Sequence, residues 1–188
     1  MGASNTGSAK QKKGRLLSID TFYAEVAVEA VKRGVHVIND VSGGQLDPII
    51  LKVAAELGVP YVIMHMRGDP STMQSEKNLQ YGDVCKDASE LYTQVREAEL
   101  SVIPLWRIVL DPGIGFSKKC GHNIEVIKGL ESIRSEMGKI SIGASHVPIL
   151  VGPSRKRFLR EICNRADPVD LDAATVAAVT IGILNGAN

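Results

Sequence analysis

What most constrains this chain is an alternation of two periods. Short apolar runs of strand character recur along it, LLSID at 16–20, VHVIN at 35–39, YVIMH at 61–65, RIVLD at 107–111 and PILVG at 148–152. Between them, 24–32, 48–57, 84–100 and 123–137 place apolar residues three and four apart, as helices covering one side of a sheet do. A further helix is expected at 170–184. Runs this apolar read as strands buried on both faces, and strands separated by helices pair in parallel.

These are five βα units. Gly34, Gly58 and Gly138 follow three of the expected helices, where a left-handed C′ residue is favoured. Gly34 and Gly58 each precede Val and a new strand, a weak repeat that suits an α/β barrel. The expected fold is therefore α/β, a partial (β/α)₈ TIM barrel. Eight units close such a barrel, so the expectation is a chain truncated at both ends. Runs 16–20 and 148–152 would then each lack a neighbour and expose an apolar edge. Such a chain is expected to aggregate, to form a homo-oligomer through those edges, or to fold with a partner that supplies strands.

With 188 residues, 44% of them apolar, the chain can bury a core as one globular unit. Its net charge of +1 provides no long-range field toward nucleic acid or anionic membrane, which leaves a small, specific ligand. Cys85, Cys120 and Cys163 fit neither a disulfide framework nor a CxxC pair, and a reducing compartment is expected. The apolar stretch 173–184 is too short to span a membrane, so no span is expected. Residues 1–15, MGASNTGSAKQKKGR, are small, polar and basic without an apolar core, so they read as a disordered segment and not as a secretory signal. They satisfy the bare N-myristoylation pattern, which chance often meets. With no targeting segment evident, the cytoplasm is the expected compartment. Residues 16–188 form the folded domain.

Polar residues close strand after strand at the end where barrel enzymes place their active sites. Asp20 closes the first run, Asn39 and Asp40 the second, His65 and Arg67 follow the third, Asp111 closes the fourth, and Ser154, Arg155 and Lys156 follow the fifth. Each also has a plain structural reading. Asp111-Pro112-Gly113 is a common turn, Asn39, Asp40 and Ser42 suit a cap, and 154–157 suits a solvated helix start. His65 and His122 read as hydrogen-bonded structural residues, because no second metal ligand stands at the required spacing. Together, two carboxylates, a carboxamide and a lysine around Met64 and Phe116 suit a flat, donor-rich heterocycle. A carboxylate takes two parallel hydrogen bonds from an amino-pyrimidine edge as it does from a guanidinium.

SIDT at 18–21, INDVSGG at 38–44, MHMRGDPSTMQ at 64–74, LDPGIGF at 110–116 and VGPSRKRF at 151–158 resemble, in order, the motifs of dihydropteroate synthases. SHVPILVGPSRKRF at 145–158 resembles the plant form, which is fused behind a hydroxymethyl-dihydropterin pyrophosphokinase and targeted to mitochondria, the alternative compartment. The resemblance implies a transferase of folate biosynthesis. It condenses 6-hydroxymethyl-7,8-dihydropterin pyrophosphate with p-aminobenzoate to 7,8-dihydropteroate, with Mg²⁺ present. It further implies that Asp20, Asn39, Met64, Asp111, Gly152 and Lys156 bind the pterin, with Lys156 and Asp20 catalytic. Phe116, Ser154 and Arg155 would receive p-aminobenzoate and the anionic groups.

The family's NxTPDSF strand, its glycine-rich lid and its terminal RVHD motif do not occur in this sequence. The usual metal-ligand loop belongs to those parts, so no metal ligand is assigned. The expectation is a nearly complete pterin side with doubtful turnover. A non-catalytic pterin-binding or interaction fragment and a pterin-dependent methyltransferase are the alternatives; GPSRKRF favours the synthase.

Overall fold

The structure, a computed structural model, describes residues 14–88 and 90–188. The expected disorder of the basic segment and its myristoylation pattern thus lie, through residue 13, outside the described residues. Four of the five apolar runs form strands: β1 (Ser18–Asp20), β2 (Val37–Asp40), β3 (Tyr61–Met64) and β4 (Ile108–Asp111). They pair in parallel in the order β1-β2-β3-β4. An uninterrupted sequential order is that of a barrel sector; a doubly wound sheet reverses direction at a switch point.

Side chains alternate across each strand. Ile38, Tyr61, Ile63, Ile108 and Leu110 belong to the main core, packed with helix residues such as Ile50, Leu91 and Ile133. Burying each such side chain is worth about 1.5–3 kcal/mol. The opposite parity, Asp20, Asn39, Val62, Met64 and Asp111, lies on the other sheet face. Register carries this set across the sheet: Asp20 stands beside Asn39, Asn39 beside Val62, and Met64 beside Asp111.

The helices are α1 (Ala24–Lys32), α2 (Ile50–Leu57), α3 (Val84–Ala88), α4 (Leu91–Leu100), α5 (Cys120–Lys128), α6 (Leu130–Ile140), α7 (Ile142–Ser145), α8 (Arg157–Cys163) and α9 (Asp172–Leu184). The expected helix 84–100 is thus two, and the expected helix 123–137 divides at Gly129, the C-cap of α5 and N-cap of α6. Helix α7 was not anticipated, and α8 begins at Arg157, within the stretch 154–157 read as a helix start. Gly34 and Gly58 take the expected positive φ, 96° and 71°. Gly138 does not end a helix but lies inside α6, where a Cβ would stand 3.3 Å from Ser145 Cβ. Its small size serves the close packing of α7.

Two expectations about the strands are corrected. Burial on both faces holds for β3 but not for β1, whose Ser18 and Asp20 are exposed, because β1 pairs on one side only. The fifth run contributes a single bridge, Leu110 to Ile149, with hydrogen bonds from Leu110 N–H to Pro148 O and from Leu150 N–H to Leu110 O. Its far side is met by Asn188, which donates its N–H to Ile149 O and accepts Ile149 N–H through Oδ1. Among the described residues, Leu16 and Leu17 are exposed at the β1 edge, and Leu150 is exposed in the fifth run.

Candidate functional site

Asp111 is the last residue of β4, and the next five residues fold back over it. Gly113 takes φ +72°, and a Cβ there would fall 2.0 Å from His65 O, so only glycine permits the turn to press against the end of β3. The turn brings Gly113 N–H to Asp111 Oδ1 at 2.7 Å. Asn123 on α5 holds the far side of the loop, accepting Gly115 N–H at 2.6 Å and donating to Lys119 O at 2.9 Å.

Around this loop the structure gathers Phe116, Gly152 and Lys156. Lys156 Nζ donates to Ile114 O and lies 4.7 Å above the Phe116 ring. Its chain lies against Gly115, where a Cβ would come within 2.8 Å of Lys156 Cδ, and its Nζ approaches Gly152. Burial lowers the Lys156 pKa, against the pull of Asp111. Burial raises the Asp111 pKa, opposed by the Gly113 N–H and by Lys156 and Lys118. Apart from Gly113, no described residue donates a hydrogen bond to Asp111. One oxygen is thus anchored and the other keeps its hydrogen-bonding capacity.

At the other end, Asn39 Nδ2 donates to Asp20 Oδ1. Both are exposed enough to meet a ligand. Asn39 stands two strands from β4 and Asp20 three, roughly 10 and 14 Å by normal strand spacing, with Val62 and Met64 between as an apolar floor. A planar ring lying on that floor meets hydrogen-bonding groups at both ends.

Asp40 takes the structural reading: it is fully buried on the helix side and accepts from Ser42 N–H, Ser42 O–H, Gly44 N–H and Tyr61 O–H. Ser154 and Arg155 are exposed. The Arg155 guanidinium forms a two-point pair with exposed Asp172, at 2.9 and 3.1 Å. His122 is structural, packed edge-on against Tyr81 and accepting Lys119 N–H.

Sequence reasoning missed Lys118. In the sequence it is one of two lysines after Ser117, and it is 3% exposed. Its Nζ meets His65 Nδ1 at 3.0 Å, Phe116 O at 3.2 Å and His65 O at 3.4 Å. Burial draws its pKa down to about 7. His65 is itself buried and held down to about 4, with Nε2 3.5 Å from Glu90. Glu90, beside His65 and bonded to Arg67, is held near 2. Arg67 in turn stacks on Tyr81 at 4.1 Å. The one cue in the sequence was DPGIGF itself, whose two glycines imply a tight loop that turns its next residues inward.

The profile of the pterin-binding enzyme family matches residues 8–188, the stretch that carries this buried carboxylate between lysines, the apolar floor and the paired Asp–Asn. The chain belongs to the pterin-binding enzyme family. Within it, the chain is 62% identical to the mitochondrial folate synthesis bifunctional protein of Pisum sativum, over 96% of this chain and 35% of that one. The dihydropteroate synthase of Xanthomonas albilineans in complex with 7,8-dihydropteroate superposes with a TM-score of 0.78 at 34% identity, covering 92% of this chain and 57% of that one. The Yersinia pestis dihydropteroate synthase with a sulfonamide drug complex gives 0.83 at 30% identity, covering 95% and 61%. The chain spans about a third of the length of the curated plant relatives it matches.

Proposed function

We propose that this pterin-binding chain carries the pterin pocket of a dihydropteroate synthase, which joins 6-hydroxymethyl-7,8-dihydropterin pyrophosphate to p-aminobenzoate. The observation that supports it most is the half-satisfied Asp111. A buried carboxylate with one anchored oxygen takes the amino group and ring N–H of a pterin with charge-assisted hydrogen bonds. Asn39 and Asp20 serve the far end of the bicycle, and Met64 lies beneath it. Lys156, against Phe116, supplies positive charge where the carboxylate of p-aminobenzoate would lie. In the reaction a C–N bond forms to the pterin methylene as its C–O bond to pyrophosphate breaks. The residues named orient the methylene for the incoming amine, and Asp20 and Lys156 are proposed as the catalytic pair.

Among the described residues, no three His, Cys, Asp or Glu side chains converge as a metal site. No step is drawn through Mg²⁺. We propose that the ion arrives with the diphosphate, since Mg²⁺ prefers phosphate oxygens and water with few protein ligands. The naming of the pea and one Arabidopsis relative as mitochondrial supports that compartment. No helix among the described residues is long and apolar enough to cross a membrane. Self-association is proposed through the open edge of β1, where Leu16 is 79% exposed.

Calorimetric titration with dihydropterin pyrophosphate and Mg²⁺, followed by a p-aminobenzoate condensation assay, tests the reading. Saturable one-site binding is expected. A folded sample that binds no pterin overturns it.

A further inference from the structure

Lys118 is 3% exposed, and it has no counterpart among the residues that would face the pterin. A buried ammonium is expensive unless something nearby requires its charge. Its three hydrogen bonds all go to uncharged groups: the ring and carbonyl of His65, at the end of β3, and the carbonyl of Phe116, in the loop after β4. Neutral donors of similar reach would serve those acceptors. What they would not supply is a positive charge beneath the Asp111 turn, where a Cβ built on Gly113 would stand 3.4 Å from Lys118 Nζ.

The charges facing Lys118 point to the same partner. Asp111 is the foremost influence that holds the proton on Lys118, and Glu90 is a weaker one; Arg67 and Lys156 work against it. From the packed elements, His65 accepts from it, the Tyr81 ring lies 5.9 Å away, and His122 on α5 senses it. Glu90 is already committed to Arg67 at 2.9 Å, which leaves Asp111 as the carboxylate that Lys118 faces together with Lys156.

We propose that Lys118 is a positioning residue for the pterin pocket, clamping the end of β3 to the Asp111 loop and supplying the charge that keeps Asp111 ionised while leaving its second oxygen open to ligand. The proposal rests on the pterin reading for its purpose but not for its test. A lysine that bonded Asp111 directly would occupy the atom a ligand needs. One held by carbonyls and an imidazole alongside stabilises the carboxylate through space.

Two neutral or charged replacements separate the roles. Lys118→Gln keeps hydrogen-bonding reach without charge; Lys118→Arg keeps charge. With an opposite charge removed, the acid limb of pterin binding in the Gln variant should move up by about one to three pH units, and the Arg variant should restore it at least in part. A folded Gln variant with the wild-type acid limb overturns the proposal. Should neither variant fold, the wild-type chain decides by ¹³C NMR of the assigned Asp111 carboxyl and Lys118 Cε. Coupled groups titrate together. The Asp111 signal should therefore show a second inflection where Lys118 titrates; its absence overturns the proposal. Because this readout needs no ligand, failure of the pterin reading is seen separately, as a wild-type chain that shows the coupling and binds no pterin.

Discussion

Asp40 and Asp111 close β2 and β4, the two neighbours of β3, and both are buried, yet they do opposite work. Asp40 shares the parity of Ile38 and faces the helices, where four donors from its own loop and from Tyr61 use it up. Asp111 shares the parity of Met64 and faces the other side, where one backbone N–H reaches it and the remaining compensation comes from lysines alongside. Their difference teaches that burial does not mark a functional carboxylate. What marks it is burial with hydrogen-bonding capacity left over, held by charges that do not occupy it.

The largest effect that can break this comparison is Asp40→Ala, which would strand the Tyr61 hydroxyl, the Ser42 hydroxyl and two N–H groups in the core. A loss of roughly 4 kcal/mol is expected in urea denaturation, with pterin affinity per folded molecule retained. Lost affinity at unchanged stability would reverse the two roles. Asp111→Ala comes next: about a hundredfold weaker pterin binding by calorimetry, near 3 kcal/mol, with little change in the unfolding midpoint. Equal affinity would remove Asp111 from the site.

His65, which supports Lys118 behind Asp111, sharpens the contrast through pH. Its folded pKa, about 4, lies below the ordinary 6.5, so the unfolded chain takes the proton first. Its stabilising share is therefore complete above pH 6.5 and is lost as pH falls toward 4, by about 2 kcal/mol at pH 5. Denaturation midpoints that stay flat between pH 7 and 5 would contradict a neutral buried imidazole. The smallest effect serves as a baseline away from both carboxylates. Gly58→Ala, at φ +71° with only Arg107 near, should cost about 1 kcal/mol and leave pterin binding alone.

Much of this was legible because it depends on local pattern. Four strands coincide with the runs read from periodicity, β2 passing its run by one residue to Asp40, and Asp20, Asn39 and Asp111 stand at or beside their ends as expected. The weaker expectations failed for non-local reasons. PILVG at 148–152 has strand composition but pairs through one bridge. Gly138 resembles a helix stop until α7 packs against it.

By itself the sequence determined the order of strands and helices, the placement of polar residues at the strand ends and the membership of the chain in a family, because periodicity and motif spacing are properties of neighbouring residues. Only the tertiary structure decided which aspartate is spent and which is open, and that Lys118 is buried rather than solvated. Those outcomes depend on desolvation and on partners such as His65, 53 residues from Lys118 along the chain and 3.0 Å from it in space.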